Sequence, residues 1–302
     1  MYCQKCNDNV PERNGHCPYC GTPLGTQPTT QRTTPVPGRN PLGIPILTFN
    51  VKGVGLTMVK VEKGSFYRGI SLKALKEEIS SRTEWRKNYP LVTLESYYIS
   101  ETLLTQEQWE AVMPDNDSNI AYWADKKGIY NPSMFKGKDL PVSGIDIYSA
   151  NDFIMKLNGI TGWTFDIPTN DEWEFAARGG NLSKGFTYAG SDNINEVAWH
   201  LDNSSVKKMV WKGLFPRLER TWLPHPVKTK LPNELGLYDM SGNVSDLCQR
   251  HRMYSANARG GCFEDDAHDC ETANLYSHYK PENIGCHIVL RIADNWILQV
   301  RR

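Results

Sequence analysis

The sequence predicts an α+β domain that follows a small metal-binding module. Two closely spaced cysteine pairs open the chain. Alternating apolar and polar residues at 58–69 and 90–99 are typical of β-strands. Capped helix starts are found at Thr105 and Thr169, each followed three residues later by Gln or Glu. These features divide the chain into residues 1–24, 25–47 and 48–302.

The N-terminal module carries two CxxC pairs that are separated by ten residues, Cys3, Cys6, Cys17 and Cys20. Two such pairs can close a tetrahedral zinc site, and four thiolates leave no open position for catalysis. The segment has few apolar residues, so the metal would supply its folding energy. Two disulfides are the alternative, which the absence of a secretory signal disfavours. We expect a structural zinc ribbon.

Residues 25–47 are rich in Thr, Pro and Gln. Such a composition cannot bury a core, so we expect a disordered, extended linker. The zinc ribbon would then be a tethered docking module and not a part of an active site.

The overall charge balance limits the classes of partner. The chain has 34 basic and 34 acidic residues, and its mean hydropathy is −0.52. Nothing in this balance indicates a nucleic-acid or membrane partner. We find no apolar run long enough to span a bilayer. Together with the lack of a secretory signal, this predicts a cytoplasmic protein without membrane partners.

Helix signals organise the middle of the chain. Apolar residues recur at helical spacing over residues 147–157. The helix that follows Thr169 contains Glu172 and Glu174. We interpret these two carboxylates as charges near a helix N-terminus and not as a catalytic pair. His200 and His225 lack a partner at metal-binding spacing and are interpreted as packing or surface residues.

The stretch at 233–248, NELGLYDMSGNVSDLC, resembles the central motif NxxGLYDMxGNVWEWC of the formylglycine-generating enzyme (sulfatase-modifying factor) family. Residues 58–69 and 165–180 resemble two further motifs of that family, although Asp166 stands where an Arg is usual. The resemblance implies a C-type-lectin-like fold over residues 48–302. It does not fix the function, because this scaffold carries oxidases, synthases and binding proteins.

The resemblance also identifies the residues that decide whether the chain is an oxidase. The family's oxidases bind copper with two cysteines spaced CxxxxC after an RGG motif, and these positions are Asp265 and Cys270 here. A single thiolate cannot give the two-sulfur coordination that Cu(I) prefers. We therefore favour a non-catalytic protein. The alternative is a copper-dependent oxidase that uses a rearranged pair, Cys262 and Cys270. The family's iron-dependent synthases need an additional helical domain, for which this chain shows no signal.

Non-catalytic relatives include the variable proteins of diversity-generating retroelements, which display a changeable surface between RGG and a final GFRxxL. The matching segment runs from Arg259 to Leu290, with Cys286 and His287 where Phe and Arg are usual. Mixed Tyr, His and Asp suit a surface that binds a protein or another macromolecule. The candidate ligand-binding residues are Asp265, Asp266, His268, Tyr276, His278 and Tyr279. The alternative is a plain lectin-like domain with an ordinary loop.

Asn243 and Asp246 resemble part of a structural calcium site in the family, with Asp246 in place of the usual Glu. Calcium takes six to eight oxygen ligands, and the sequence supplies two candidate side chains. A turn without metal, held by the Asn side chain, is the alternative.

Overall fold

The computed structural model describes residues 32–70, 89–113, 131–212, 215–249, 256–274 and 280–292, and the backbone of two short strands near the N-terminus. The fold is α+β, as the sequence predicts. The strands are β1 (Tyr2–Cys3), β2 (Asp8–Asn9), β3 (Val36–Arg39), β4 (Pro45–Val51), β5 (Val54–Val61), β6 (Gly64–Tyr67), β7 (Leu91–Leu94), β8 (Tyr97–Ser100), β9 (Phe165–Asp166), β10 (Ser205–Lys212), β11 (Phe215–Trp222), β12 (Ser245–Gln249), β13 (Ala256–Arg259), β14 (Ile284–Gly285) and β15 (Val289–Leu290). The helices are α1 (Gln106–Val112), α2 (Ile147–Thr161), α3 (Asn170–Ala177) and α4 (Ile194–Val197), with 3₁₀ turns at Gly180–Leu182 and Pro281–Asn283.

A six-stranded sheet in the order β3-β4-β5-β8-β15-β9 forms the centre of the domain. The neighbouring strands all run antiparallel. β15 lies between β8 and β9, and its Val289 pairs with Ile99 on one side and Asp166 on the other. The end of the C-terminal segment is therefore built into the central sheet.

The expected linker boundary at residue 48 is wrong. β3 and the start of β4 both lie in the segment that was expected to be disordered, and Val36 pairs with Thr48 in the sheet. Thr33 also donates its backbone N–H to the carbonyl of Thr161 at 2.9 Å. Pro37 within β3 suggested a linker, but β3 is an edge strand, where a missing N–H donor is tolerated.

The predicted helices are present with the predicted caps. Thr105 and Thr169 each accept the N3 backbone N–H and form complete capping boxes. α2 extends four residues beyond the expected end at 157, and Gly162 caps it at φ 72°. Trp109 of α1 stacks on Phe153 of α2 with ring centroids 4.8 Å apart. This pair packs α1 and α2 together in the main core. No helix in the described part of the chain is both long and apolar enough to cross a bilayer.

A second sheet and two separate two-stranded ribbons, β6–β7 and β10–β11, complete the described part of the domain. The three-stranded sheet has the order β13-β12-β14, with β12 antiparallel to β13 and parallel to β14. β10 and β11 form an antiparallel two-stranded ribbon. The C-terminal segment from Arg259 to Leu290 thus begins at the end of β13 and returns through β14 and β15, so both sheets fix its ends.

Candidate functional site

The candidate site is the C-terminal segment, residues 259–290, and two glycines set its path. Gly260 and Gly261 both have positive φ, at 80° and 68°. A Cβ on Gly261 would lie 2.8 Å from the Cys270 Sγ and 2.9 Å from the Asp269 carbonyl oxygen. The glycines are therefore required for the backbone to pass this closely over the loop that carries Cys270.

Arg259 anchors the start of the segment in the interior. Its side chain is fully buried, and its Nη2 donates to Glu174 Oε2 at 2.8 Å and to the Thr272 carbonyl at 3.0 Å. The guanidinium carbon lies 4.9 Å from the centroid of the Trp173 ring. Glu174 also pairs with Arg178 and accepts the backbone N–H of Gly69. Glu174 is thus the centre of a buried ion-pair network, a role that sequence reasoning missed.

Asp265, the residue at the first copper-cysteine position, is 3% exposed. The expectation that its side chain is accessible is wrong. Its Oδ2 accepts the backbone N–H of Cys262 at 2.9 Å, and its Oδ1 lies 3.1 Å from the Lys280 Nζ. Lys280, from fifteen residues later in the chain, reaches back and neutralises the carboxylate, which permits its burial.

Cys262 and Cys270 are both buried and both carry free thiols. Burial raises the pKa of the Cys262 thiol, and the charge of Asp265 raises this pKa further. The pKa of Cys270 is raised by burial, by Asp265 and by Cys262 itself. Asn283 Nδ2 lies 3.5 Å from the Cys262 Sγ and covers it from the side of β14. Burial and the neighbouring carboxylate therefore favour the protonated thiol at both cysteines.

Two of the predicted ligand-binding residues lie on the open side of the segment. Asp266 and His268 are exposed. Asp266 Oδ1 accepts the backbone N–H of His268 at 2.9 Å, and His268 Nδ1 lies 3.3 Å from Glu271 Oε1. The other candidates, Tyr276, His278 and Tyr279, lie outside the described residues. The open face defined by the described residues is therefore acidic, with one imidazole.

The two candidate calcium residues are held by other protein groups. Asn243 Oδ1 accepts the backbone N–H of His225 at 2.9 Å. Asp246 is buried; its Oδ2 accepts from Trp173 Nε1 at 2.7 Å and its Oδ1 accepts the backbone N–H of His287 at 2.6 Å. The His287 Nδ1 also lies 2.9 Å from both oxygens of Asp246. These donors take up the acceptor atoms that calcium would need, and this geometry favours the alternative without metal.

Two sets of residues remain, namely His287 in the C-terminal segment and the four cysteines predicted to bind zinc. His287 is fully buried, and its pairing with Asp246 over 41 residues has no local sequence signal. Of the zinc candidates, Cys3 lies in β1, whose backbone alone is described, and β1 pairs with β2. Cys6, Cys17 and Cys20 lie outside the described residues.

The similarity to known proteins identifies the family of this chain. Residues 50–295 match the model of the sulfatase-modifying factor enzyme 1-like domain. The chain belongs to this family. A 176-residue stretch is 35% identical to the chaperone protein LppX of Paenibacillus barcinonensis and covers 52% of this chain and 63% of that protein. A second match is the formylglycine-generating enzyme of Streptomyces coelicolor, which is 36% identical over 87 residues. This match covers 27% of this chain and 25% of that enzyme. The chain thus spans less than two thirds of either relative.

Solved structures share the fold over most of the chain. Treponema denticola variable protein 1 has a TM-score of 0.59 at 23% identity, and the match covers 81% of this chain and 98% of that protein. CarF has a TM-score of 0.54 at 22% identity, with coverages of 79% and 99%. PvdO from Pseudomonas aeruginosa has a TM-score of 0.57 at 18% identity, with coverages of 81% and 98%. These likenesses confirm the predicted scaffold of the sulfatase-modifying factor family.

Proposed function

We propose that the chain is a non-catalytic protein-binding module that recognises its partner through the open face of the C-terminal segment. The observation that carries this proposal is the ion pair between the buried Asp265 and the partly exposed Lys280, in which Asp265 stands at the position of the family's first copper cysteine. A relative that is 35% identical over half of the chain is named a chaperone, a class of proteins that bind other proteins. The chain's similarity to a variable protein supports the same proposal at the level of the scaffold.

The chemistry of the Asp265 position argues against the copper-dependent alternative. Carboxylate oxygen is a hard ligand, whereas Cu(I) prefers soft sulfur. The ammonium of Lys280, 3.1 Å from Asp265 Oδ1, would also oppose a second cation. The remaining thiols, Cys262 and Cys270, are buried, and the pKa of each is raised. A substrate cysteine would have no exposed sulfur to approach.

The partner surface in this proposal consists of Asp266 and His268 together with Tyr276, His278 and Tyr279. The described members are exposed, and their side-chain hydrogen bonds to other described residues lie within their own loop. Exchange of these side chains would therefore change the interior little. That property suits a segment diversified between RGG and the last strand. We propose that diversification, where it occurs, is confined to such exposed positions and spares Arg259 and Cys262.

Two further expectations stand as proposals. We propose that Cys3, Cys6, Cys17 and Cys20 hold a structural zinc ion and that this ribbon docks a separate partner. We propose a cytoplasmic location, which agrees with the free thiols at all four cysteines in the described part of the chain.

Copper binding tests the choice between the two functions. The purified protein should not compete with a chromogenic chelator for Cu(I) beyond what the N-terminal cysteines bind, and it should not oxidise a cysteine-containing peptide. The matched variant is Asp265→Cys with Lys280→Ala, which restores the two-sulfur pattern and should gain one tightly bound Cu(I). Peptide turnover by the unmodified protein that is lost on Cys270→Ser would refute the proposal.

Site-specific cross-linking tests the partner surface. A photo-reactive amino acid placed at His268 should capture a defined protein partner, whereas the same group at the exposed Lys63 should not. The captured protein, once purified, should bind the native chain and lose at least about ten-fold in affinity with Asp266→Ala and His268→Ala together. Equal capture from both positions, or an unchanged affinity of the double variant, would place the partner surface elsewhere.

A further inference from the structure

The β10–β11 ribbon stands apart from both sheets. Its two strands pair only with each other among the described residues, from Ser205 opposite Trp222 to Lys212 opposite Phe215. Its base is fixed to the body, because Trp222 Nε1 donates to the Leu201 carbonyl at 2.8 Å and Trp222 packs against the buried cluster that contains Phe263. A two-stranded ribbon buries little surface by itself. Its side chains are therefore largely available to a partner.

The ribbon carries a net positive charge, although the net charge of the whole chain is zero. Over 205–222 it has one carboxylate, Glu219, against five cations, which gives a net charge of four positive. The rest of the chain must then be four negative, since the total is zero. The expectation of no membrane partner rested on the total charge, which conceals this local excess. The five cations are Lys207, Lys208, Lys212, Arg217 and Arg220.

Exposed apolar side chains lie between these charges. Met209 and Leu218 face each other across the two strands and are 56% and 59% exposed. The backbone of Trp211 pairs with that of Pro216 towards the outer end, and Lys207 pairs with Arg220 towards the base. By the alternation of strand side chains, Lys207 and Arg220 share the face of Met209 and Leu218, and this face has no carboxylate over these two pairs.

The opposite face of the ribbon is open as well. Val206 on that face is 40% exposed, and Arg217 is exposed. A protein surface would cover one face of the ribbon and leave the other in water. A nucleic acid would pair with the cations and leave Met209 and Leu218 without apolar contacts. A lipid interface surrounds an inserted element on all sides, and its anionic headgroups and upper acyl chains match both kinds of side chain.

We infer that the β10–β11 ribbon is a docking surface for anionic lipid membranes. Within the described part of the chain, the backbone N–H and C=O groups along its outer edges pair with no other strand, and such groups are too costly to place in hydrocarbon. The ribbon therefore lies at headgroup level and holds the protein peripherally. This inference is independent of the partner face proposed above, because it uses other residues and another chemistry.

Vesicle co-sedimentation of the full chain tests the inference. The protein should sediment with vesicles of 70% phosphatidylcholine and 30% phosphatidylglycerol, and not with pure phosphatidylcholine, in about 0.1 M salt. The variant Lys207→Ser, Arg217→Ser, Arg220→Ser should bind about 100-fold more weakly, at about five-fold for each cation. The variant Met209→Ser, Leu218→Ser should lose about ten-fold, because it removes apolar contact with the interface.

Matched variants change the same kinds of side chain elsewhere on the surface. The charge control is Lys52→Asn, Lys63→Ser, Lys138→Ser, and the apolar control is Val36→Ser, Leu91→Ser, all at exposed positions. Both controls should bind vesicles like the unchanged protein, and all four variants should keep its melting temperature. The inference is refuted by absence of sedimentation, by equal binding to neutral vesicles, or by controls that lose as much as the ribbon variants. Tighter binding to duplex DNA than to the anionic vesicles would also refute it.

Discussion

Replacing His287 with alanine should destabilise the domain severely. His287 is fully buried, with 0% of its surface exposed. Its Nδ1 lies 2.9 Å from both carboxylate oxygens of Asp246, which is itself 1% exposed. Its Nε2 lies 3.2 Å from the Tyr238 carbonyl. The pair joins the C-terminal segment to β12. It also combines two departures from the family pattern, since His287 stands for Arg and Asp246 for Glu.

The magnitude follows from what the substitution leaves behind. The buried Asp246 carboxylate would retain Trp173 Nε1 and the backbone N–H of residue 287 but lose its ring partner. Breaking a buried charged or hydrogen-bonded pair and emptying the ring volume costs about 3–5 kcal/mol. That is a large part of the roughly 5–15 kcal/mol that stabilises a typical domain. For a domain of this size it corresponds to a fall in Tm of about 6–20 °C.

Urea unfolding of a double-mutant cycle measures the pair itself. The cycle uses His287→Ala, Asp246→Asn and the double variant, with the exposed His268→Ala as a control that should change stability by less than about 0.5 kcal/mol. We expect the double variant to lose clearly less than the sum of the two single losses. Additivity within about 0.5 kcal/mol would show that the two residues are not energetically coupled and would refute the reasoning.

Three further predictions concern other parts of the chain. A strong zinc chelator should unfold residues 1–24 and leave the Tm of the main domain unchanged, and a metal-free sample with an ordered N-terminus would contradict the zinc assignment. Burial raises the pKa of all four C-terminal cysteines, Cys248, Cys262, Cys270 and Cys286. The stabilising effect of the protonated thiols is complete below the unfolded thiol pKa of about 8.5 and is lost as pH rises above it, by about 1.4 kcal/mol per pH unit for each thiol. Unfolding free energies at pH 8 to 10 should fall less steeply in Cys286→Ala, and equal slopes would contradict the thiol contribution. Changing Tyr276→Ala and Tyr279→Ala together should abolish partner binding at little cost in stability, whereas unfolding of this variant would place both rings in the core.

The sequence predicts those features of the fold that depend on neighbours along the chain. The capping boxes at Thr105 and Thr169 were predictable because the cap and its partner are three residues apart. The motif resemblance predicted the scaffold that the family match confirms. The linker boundary failed because composition cannot distinguish an exposed edge strand such as β3 from a chain without structure.

The parts of the site that sequence reasoning missed are pairs between distant residues. Arg259 and Glu174 are 85 residues apart, and nothing in the sequence around either residue indicates that it forms a buried ion pair. Asp265 lies in a run of acidic residues that indicates exposure, but Lys280, fifteen residues later, pairs with its carboxylate and offsets the cost of burying it. The open positions Asp266 and His268 were predicted correctly as accessible, because their polar loop has no helical or strand periodicity.

Under the proposed function, the C-terminal segment separates the residues that stabilise the fold from those that bind the partner. Its buried side chains, Arg259 at the start and His287 near the end, make charged or hydrogen-bonded contacts to α3 and β12. Among the described residues, its exposed side chains Asp266 and His268 form hydrogen bonds only within their own loop. Exposed substitutions usually change stability by less than about 0.5 kcal/mol, while breaking a buried pair costs several times more. If the proposed function holds, substitutions on this face would change the partner without changing the fold.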